Sequence, residues 1–175
     1  MVDRSFIETR RLYVRPWREA DLAEFHAVMS DPLVHRFTGE EPYTEEQTRE
    51  MVAWCIEHHL GEAPGYFNCP LVLREGGLVI GRVGLNPFRE YRAGETVPEI
   101  EWTIGSAHWG RGYATEIGRA ILRYGLEQCG FAEIVGFAEL EHAASLRVMA
   151  KIGMRPLGLR EARGRQWSFF VASRG

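Results

Sequence analysis

The chain has 175 residues, of which 45% are hydrophobic and 26% charged, and its net charge is −3. That length suits one domain with its own buried core, and so weak a negative charge offers no field to attract nucleic acid or an anionic membrane. Cys55, Cys69 and Cys129 are scattered and show no paired spacing, so neither a disulfide framework nor a zinc site is expected, and each reads as a small buried apolar side chain. The start MVDRSFIETRRL is charged throughout and no apolar run approaches membrane-span length, which makes a soluble cytoplasmic protein the expectation.

Taken in order, RLYVRPW (11–17) alternates apolar and polar and predicts a strand. EADLAEFHAVMSD (19–31) carries Leu22, Phe25, Val28 and Met29 at helical spacing and is stopped by Asp31-Pro32. Thr44 and Gln47 form a capping box opening a helix that buries Met51, Val52, Cys55 and Ile56 and is expected to end near Gly61. YFNCPLVLRE (66–75) and LVIGRVGLNPF (78–88), separated by Gly76-Gly77, predict a hairpin. PEIEWTIG (98–105) predicts a fourth strand, with Ile100, Trp102 and Ile104 on one face and Glu99, Glu101 and Thr103 on the other. After HWGRGYATE (108–116) the period becomes helical, with Ala114, Ile117, Ile121 and Tyr124 on one stripe. AEIVGFAEL (132–140) predicts a strand, HAASLRVMAKIG (142–153) a helix, and MRPLGLRE and RQWSFFVAS two closing strands. No repeat or linker divides this series, so residues 1–175 are read as a single α/β domain, and the strand–helix–strand unit across 98–138 implies a locally parallel pair.

The loop HWGRGYATE is a chemical device. A strand feeds a glycine turn into a helix whose first N–H groups have no partner, and glycine lets a ligand reach the backbone. Such an arrangement binds phosphate through the main chain, although two glycines also make an ordinary tight turn. The chain has no G-x-x-x-x-G-K-[ST] loop, and its one lysine, Lys151, lies elsewhere. A dinucleotide fingerprint fails too, because Thr115 stands at its third glycine position.

W-G-R-G-Y-A (109–114) resembles the acyl-CoA pyrophosphate loop of the GCN5-related N-acetyltransferase (GNAT) superfamily, and EIEWTIGSAHWGRGYATE is similar to its ribosomal-protein N-terminal acetyltransferase subgroup. HAASLRVMAKIGMR (142–155) resembles that subgroup's second signature, and the element order matches from about residue 9 to 172. The resemblance implies a mixed, mostly antiparallel sheet of about seven strands with a parallel pair at strands four and five, flanked by four helices. It implies transfer of an acetyl group from acetyl-CoA to a primary amine within a ternary complex, with no metal. The same features admit a non-catalytic acyl-CoA-binding module, because Met149 occupies the position of the family's usual tyrosine acid.

The resemblance assigns cofactor contacts to Trp109, Gly110, Arg111, Gly112, Tyr113, Ala114 and Thr115, while Arg119 and Lys151 are candidates either for further phosphate contacts or for solvated helix charges. Trp109 replaces the family's Gln/Arg, and His142 replaces an Asn that touches pantetheine. The backbone at Thr103 and Ile104 is expected to pair with the pantetheine amides, in a slot opened by a strand bulge. Glu99 and Glu101 are the candidate bases for deprotonating the amine, Glu101 being preferred, and Ser145 is a candidate donor to the leaving sulfur. His35, Arg36, Phe37, Tyr43, Phe88 and Trp167 are candidate lining of the acceptor cleft, and His108 is expected to face solvent. The acceptor is a protein N-terminus, an amino acid or a small amine, a homodimer is admissible, and no membrane or nucleic-acid partner is expected. The five arginines between residues 155 and 174 read as charges on a solvated strand pair.

Overall fold

The computed structural model describes residues 6–37, 40–58 and 64–175. Its strands are β1 (Ile7–Glu8), β2 (Leu12–Val14), β3 (Phe67–Leu73), β4 (Val79–Phe88), β5 (Val97–Ile104), β6 (Glu133–Ala138), β7 (Arg155–Ala162) and β8 (Arg165–Ser173). The helices are α1 (Leu22–Met29), α2 (Pro32–His35), α3 (Glu45–His58), α4 (Tyr113–Arg123) and α5 (Ala143–Lys151). All eight strands join one sheet in the order β1-β2-β3-β4-β5-β6-β8-β7. Among the described residues only β5 and β6 run parallel.

The mixed sheet matches the expected class, with one more strand and one more helix among the described residues than the seven and four anticipated. The extra strand is the short β1, so the parallel pair becomes β5 and β6. The segment 11–17 keeps only Leu12–Val14 in the sheet. Arg15 instead turns inward to a buried bidentate pair with Asp21, at 2.6 and 2.7 Å. The extra helix is the single turn α2, where Pro32 does not merely stop α1. Its ring suits the first helical position, and the Asp31 carboxylate accepts the Leu33 N–H at 2.9 Å.

Other local expectations hold. Thr44 and Gln47 exchange capping bonds of 2.8 and 3.2 Å, and Gly76-Gly77 turn β3 into β4 with φ of 79° and 70°. The end of α3 near Gly61 lies outside the described residues, as does part of the connection HRFTGEEPY. Beyond Arg123, α4 loosens into a π-helical turn over Tyr124–Gln128.

α4 and α5 cover one face of the sheet, packing Ile117, Ile121, Met149 and Ile152 over Ile100 and Ile104. α1 and α3 cover the other face at one end, through Phe25, Val28, Val52 and Cys55. A third cluster of Phe88, Val97, Val135, Phe169 and Val171 fills the other end. Burial pushes the thiol of Cys55 up to about 11 and that of Cys69 higher still, so both sit as inert core groups, while Cys129 is half-buried. Between the second and third clusters β5 presents Glu99, Glu101 and Thr103 to a cleft of about 510 Å³.

Candidate active site

The glycine loop begins where β5 ends. Gly105 donates its N–H to the Ile80 carbonyl at 2.9 Å, a 3-10 turn spans Ser106–His108, and Gly110 and Gly112 follow with φ of 73° and 78°. That left-handed conformation costs an L residue roughly 1–2 kcal/mol, which is why glycine stands at both positions. A Cβ at Gly110 would meet nothing within 4 Å, so the loop's outer side is open space. Gly112 caps α4, and the first N–H groups of that helix have no intrahelical partner.

The loop is tied down from outside its own sequence. Arg11 gives one guanidinium N–H to the Arg111 carbonyl at 2.9 Å and another to the Glu116 carboxylate at 2.7 Å. Glu116 also accepts the Arg11 backbone N–H at 2.8 Å and the Thr9 hydroxyl at 2.7 Å. Burial opposes ionisation of Glu116, but the bonds from Thr9 and Arg11 outweigh it and hold the carboxyl below its usual range. Arg11 further covers the Tyr113 ring at 4.6 Å, and Trp109 donates its indole N–H to the Ile104 carbonyl at 2.7 Å. On the other side the Ser106 hydroxyl donates to Asp31, which depresses that carboxyl.

Next to the loop the sheet opens. β5 and β6 share one ladder pair, Glu99 with Val135, after which β5 runs on to Ile104 while β6 pairs with β8 alone. The expected bulge is absent from the β4–β5 ladder, whose register is unbroken from Gly81–Ile104 to Phe88–Val97. The strands part because pairing ends. Gly136 lies at the fork, where a Cβ would come within 3.0 Å of Ile100 and 3.3 Å of Met149. Because the Gly105 N–H points to β4, the alternation of the ladder sends the Thr103 backbone to β4 as well. The N–H groups of Trp102 and Ile104 face the open edge, whereas that of Thr103 does not.

On the cleft face the two carboxylates differ. Glu101 is held by Arg82 at 2.6 Å and by the Asn86 amide at 2.8 Å, so both its oxygens are engaged. Glu99 is 5% exposed, and burial pushes its carboxyl up to about 7, against the opposing pull of Arg163, whose guanidinium lies 2.7 Å away. Ser145 is buried in the first turn of α5 and lines the cleft with Met149, which is 1% exposed. His142 caps α5 and stacks on Phe37 with ring centroids 4.3 Å apart; burial lowers its imidazole's affinity for a proton, against the weaker pull of Glu139.

The cleft therefore brings together Glu99, Glu101, Thr103, His142 and Ser145, with His35, Phe37 and Trp167 on its wall. Phe88 sits in the core beneath Arg163, Tyr43 packs on His35 away from the cleft, and Arg36 is exposed over Phe37. His108 does not face solvent as expected. It is half-buried with Nδ1 unbonded, and burial lowers its pKa, reinforced by Arg111. Arg111 and Lys151 are exposed, Lys151 at the far end of α5, where its carbonyl accepts Arg119 at 2.9 Å. Ala114 and Thr115 are half-buried in the first turn of α4. Among the described residues no cluster of three or more metal-ligating side chains occurs, and no helix is long and apolar enough to cross a membrane. Sequence reading missed Thr9, Arg11, Glu116, Arg82 and Arg163, each joined to its partner across a long stretch of chain.

These features have counterparts among known proteins. The family model described as an acetyltransferase (GNAT) domain matches residues 11–155, and the chain belongs to that family. It is 31% identical over 164 residues to the uncharacterised N-acetyltransferase YnaD of Bacillus subtilis, covering 92% of this chain and 91% of that one. A GNAT-family acetyltransferase structure from Bacillus anthracis superposes with a TM-score of 0.81 at 26% identity, covering 95% of this chain and 97% of that one. The fold is also that of an aminoglycoside acetyltransferase solved in complex with coenzyme A, with a TM-score of 0.73 at 15% identity, covering 93% and 95% of the two chains.

Proposed function

We propose that this protein transfers the acetyl group of acetyl-CoA to a primary amine by direct attack in a ternary complex. The observation that carries the reading is a juxtaposition. A buried carboxylate and the sheet edge where β5 and β6 part line one cleft, and a glycine turn with open space at Gly110 follows directly from the end of β5.

The residues present fit acetyl-CoA. Gly110 and Gly112 leave a cradle that side chains would fill, and the backbone from Gly110 to Thr115 offers the unpartnered N–H groups that a pyrophosphate needs. Arg111 adds an exposed cation there, and Lys151 is a more distant one. The Trp102 and Ile104 N–H groups would pair with the pantetheine arm, with His142 and Ser145 beside it. When bound, acetyl-CoA supplies the activated thioester.

The chain's own task is to position the amine and take its proton. An ammonium cannot attack until it is deprotonated, and the ideal base titrates near the working pH. Glu99 meets that demand better than Glu101, whose oxygens are engaged by Arg82 and Asn86. The Ile104 N–H would polarise the thioester oxygen. Holding both reactants in the cleft supplies a further share of the rate through proximity. Met149 is a buried apolar wall and donates no proton. Ser145, which lines the cleft, is the hydroxyl that would bond a departing sulfur.

Fold and cofactor leave the acceptor open among a protein N-terminus, an amino acid and a small amine. The test is thiol release from acetyl-CoA with a panel of peptides of varied first residue, ribosomal proteins, amino acids and small amines. Amine-dependent release is expected with at least one class. Tight acetyl-CoA binding with no turnover on any of them would identify an acyl-CoA-binding module instead.

A further inference from the structure

The turn between β7 and β8 breaks a local rule. Ala162 pairs with Arg165, so Arg163 and Gly164 form a two-residue hairpin loop, and their φ angles are 50° and 67°. Such loops favour Asn, Asp or Gly first, because that residue must enter the left-handed region. Among the described residues Arg163 is the one non-glycine with positive φ. Arginine brings nothing useful to that backbone, so its side chain must account for its presence.

That side chain reaches into the cleft. Its Nη2 donates to Glu99 at 2.7 Å, and its guanidinium lies over Phe137 at 5.1 Å and Phe88 at 5.9 Å. The Glu90 carboxylate accepts the Arg163 backbone N–H at 2.6 Å and fixes the tip. The other charges facing Glu99 are Glu101 on β5, Arg82 on β4 and Glu90 just beyond β4. Arg82 is already engaged by Glu101. The Glu99 side chain is 7% exposed and that of Arg163 is 53% exposed, so a buried carboxylate meets a cation that reaches it from the surface.

We propose that Arg163 is a positioning residue for the transfer, holding the Glu99 carboxylate charged and aimed into the cleft until an acceptor ammonium arrives. This rests on the acetyl-transfer reading. The ammonium then gives one proton to a Glu99 oxygen. The electron pair of that N–H bond stays on nitrogen as the attacking lone pair, and Glu99 becomes the neutral acid. Without Arg163 the buried carboxylate has lost its bonded counter-ion and takes a proton at higher pH.

Arg163→Asn suits the left-handed turn and so preserves the hairpin, while Arg163→Lys keeps the charge. Carboxyl carbon-13 NMR of glutamate-labelled protein follows Glu99, assigned by the signal lost in Glu99→Gln. The expected result is a titration midpoint about one pH unit higher in Arg163→Asn, partly restored in Arg163→Lys. The acid limb of kcat/KM for the acceptor should move by the same amount, with KM for acetyl-CoA unchanged. A midpoint that stays put in Arg163→Asn overturns the proposal. A midpoint that moves while the acid limb does not overturns the role in transfer, because Glu99 would then not be the base. Absence of turnover on every acceptor is the failure of the acetyl-transfer reading itself, distinguished because the NMR midpoint needs no acceptor, and it removes the catalytic role of Arg163 with it.

Discussion

The two halves of the candidate site are built from different materials. On the acetyl-transfer reading the cofactor half is main chain: glycines at positive φ, the start of α4 and the free edge of β5. On the same reading the acceptor half is side chain: Glu99 and Glu101 from β5, Arg82 from β4, Arg163 from the β7–β8 turn, Trp167 from β8 and Phe37 from beyond α2. A ligand recognised by backbone leaves its mark on the sequence as glycines at fixed spacing. A ligand recognised by side chains leaves scattered residues that only the folded sheet assembles. The first half therefore names the cofactor, and the second is where members of one fold are free to differ.

If this division is right, substitutions in the two halves will separate kinetically. The largest effect is expected at the acceptor half, where Glu99→Gln should lower kcat by about 10²–10⁴-fold and spare acetyl-CoA affinity. In the unaltered protein activity should fall as pH drops through about 7, because Glu99 must be ionised to act. Glu101→Gln should cost less, since its charge serves Arg82. A smaller loss from Glu99→Gln than from Glu101→Gln would reverse the assignment.

Stability gives a second handle on the same residue. The Glu99 carboxyl is raised in the folded state from an ordinary 4.5 to about 7, so the folded state binds its proton more tightly than the unfolded chain does. Its contribution is full below about 4.5 and is lost as pH rises to about 7. The Glu99→Gln variant should therefore gain on the unaltered protein by on the order of 3 kcal/mol across that window, read by denaturant unfolding at several pH values. A constant difference between the two proteins would mean that Glu99 is not buried as a charge.

The cofactor half should respond in the opposite parameter. Gly112→Val forces a β-branched residue to φ 78° and puts a side chain in the cradle, with Arg11 3.7 Å from its Cβ. It should weaken acetyl-CoA binding by about 10–100-fold, the worth of hydrogen bonds to a charged group, as read by calorimetry. Glu116→Gln should act more gently, weakening binding by about 3-fold and costing on the order of 0.5–1 kcal/mol, because its partner Arg11 is well exposed. If Glu116→Gln alters kcat and not affinity, the Thr9–Arg11–Glu116 clasp belongs to the acceptor half.

The same division explains what could be read from the chain beforehand. The element order, the β3–β4 turn, the capping box of α3 and the alternation of β5 were legible because each depends on neighbours in sequence. The preference between Glu99 and Glu101 was not, because it turns on Arg82 from one strand and Arg163 from a distant hairpin. The closing arginines are exposed on the β7–β8 pair as expected, but Arg163 and Arg165 also line the cleft, where they pair with Glu99 and Glu139. The turn itself held a clue: an arginine where a tight two-residue loop prefers Asn or Gly. The parting of β5 and β6 was expected from the family likeness, but its cause, pairing that simply ends at Val135, has no local signature.

The most direct test measures acetyl-CoA affinity and single-turnover acetyl transfer side by side in the unaltered protein, Gly112→Val and Glu99→Gln. The account predicts that Gly112→Val loses affinity and recovers its transfer rate at saturating acetyl-CoA. It predicts that Glu99→Gln keeps its affinity and loses the transfer step. If both substitutions reduce the same quantity, the candidate site is not divided into a backbone half that binds and a side-chain half that reacts, and the account is contradicted.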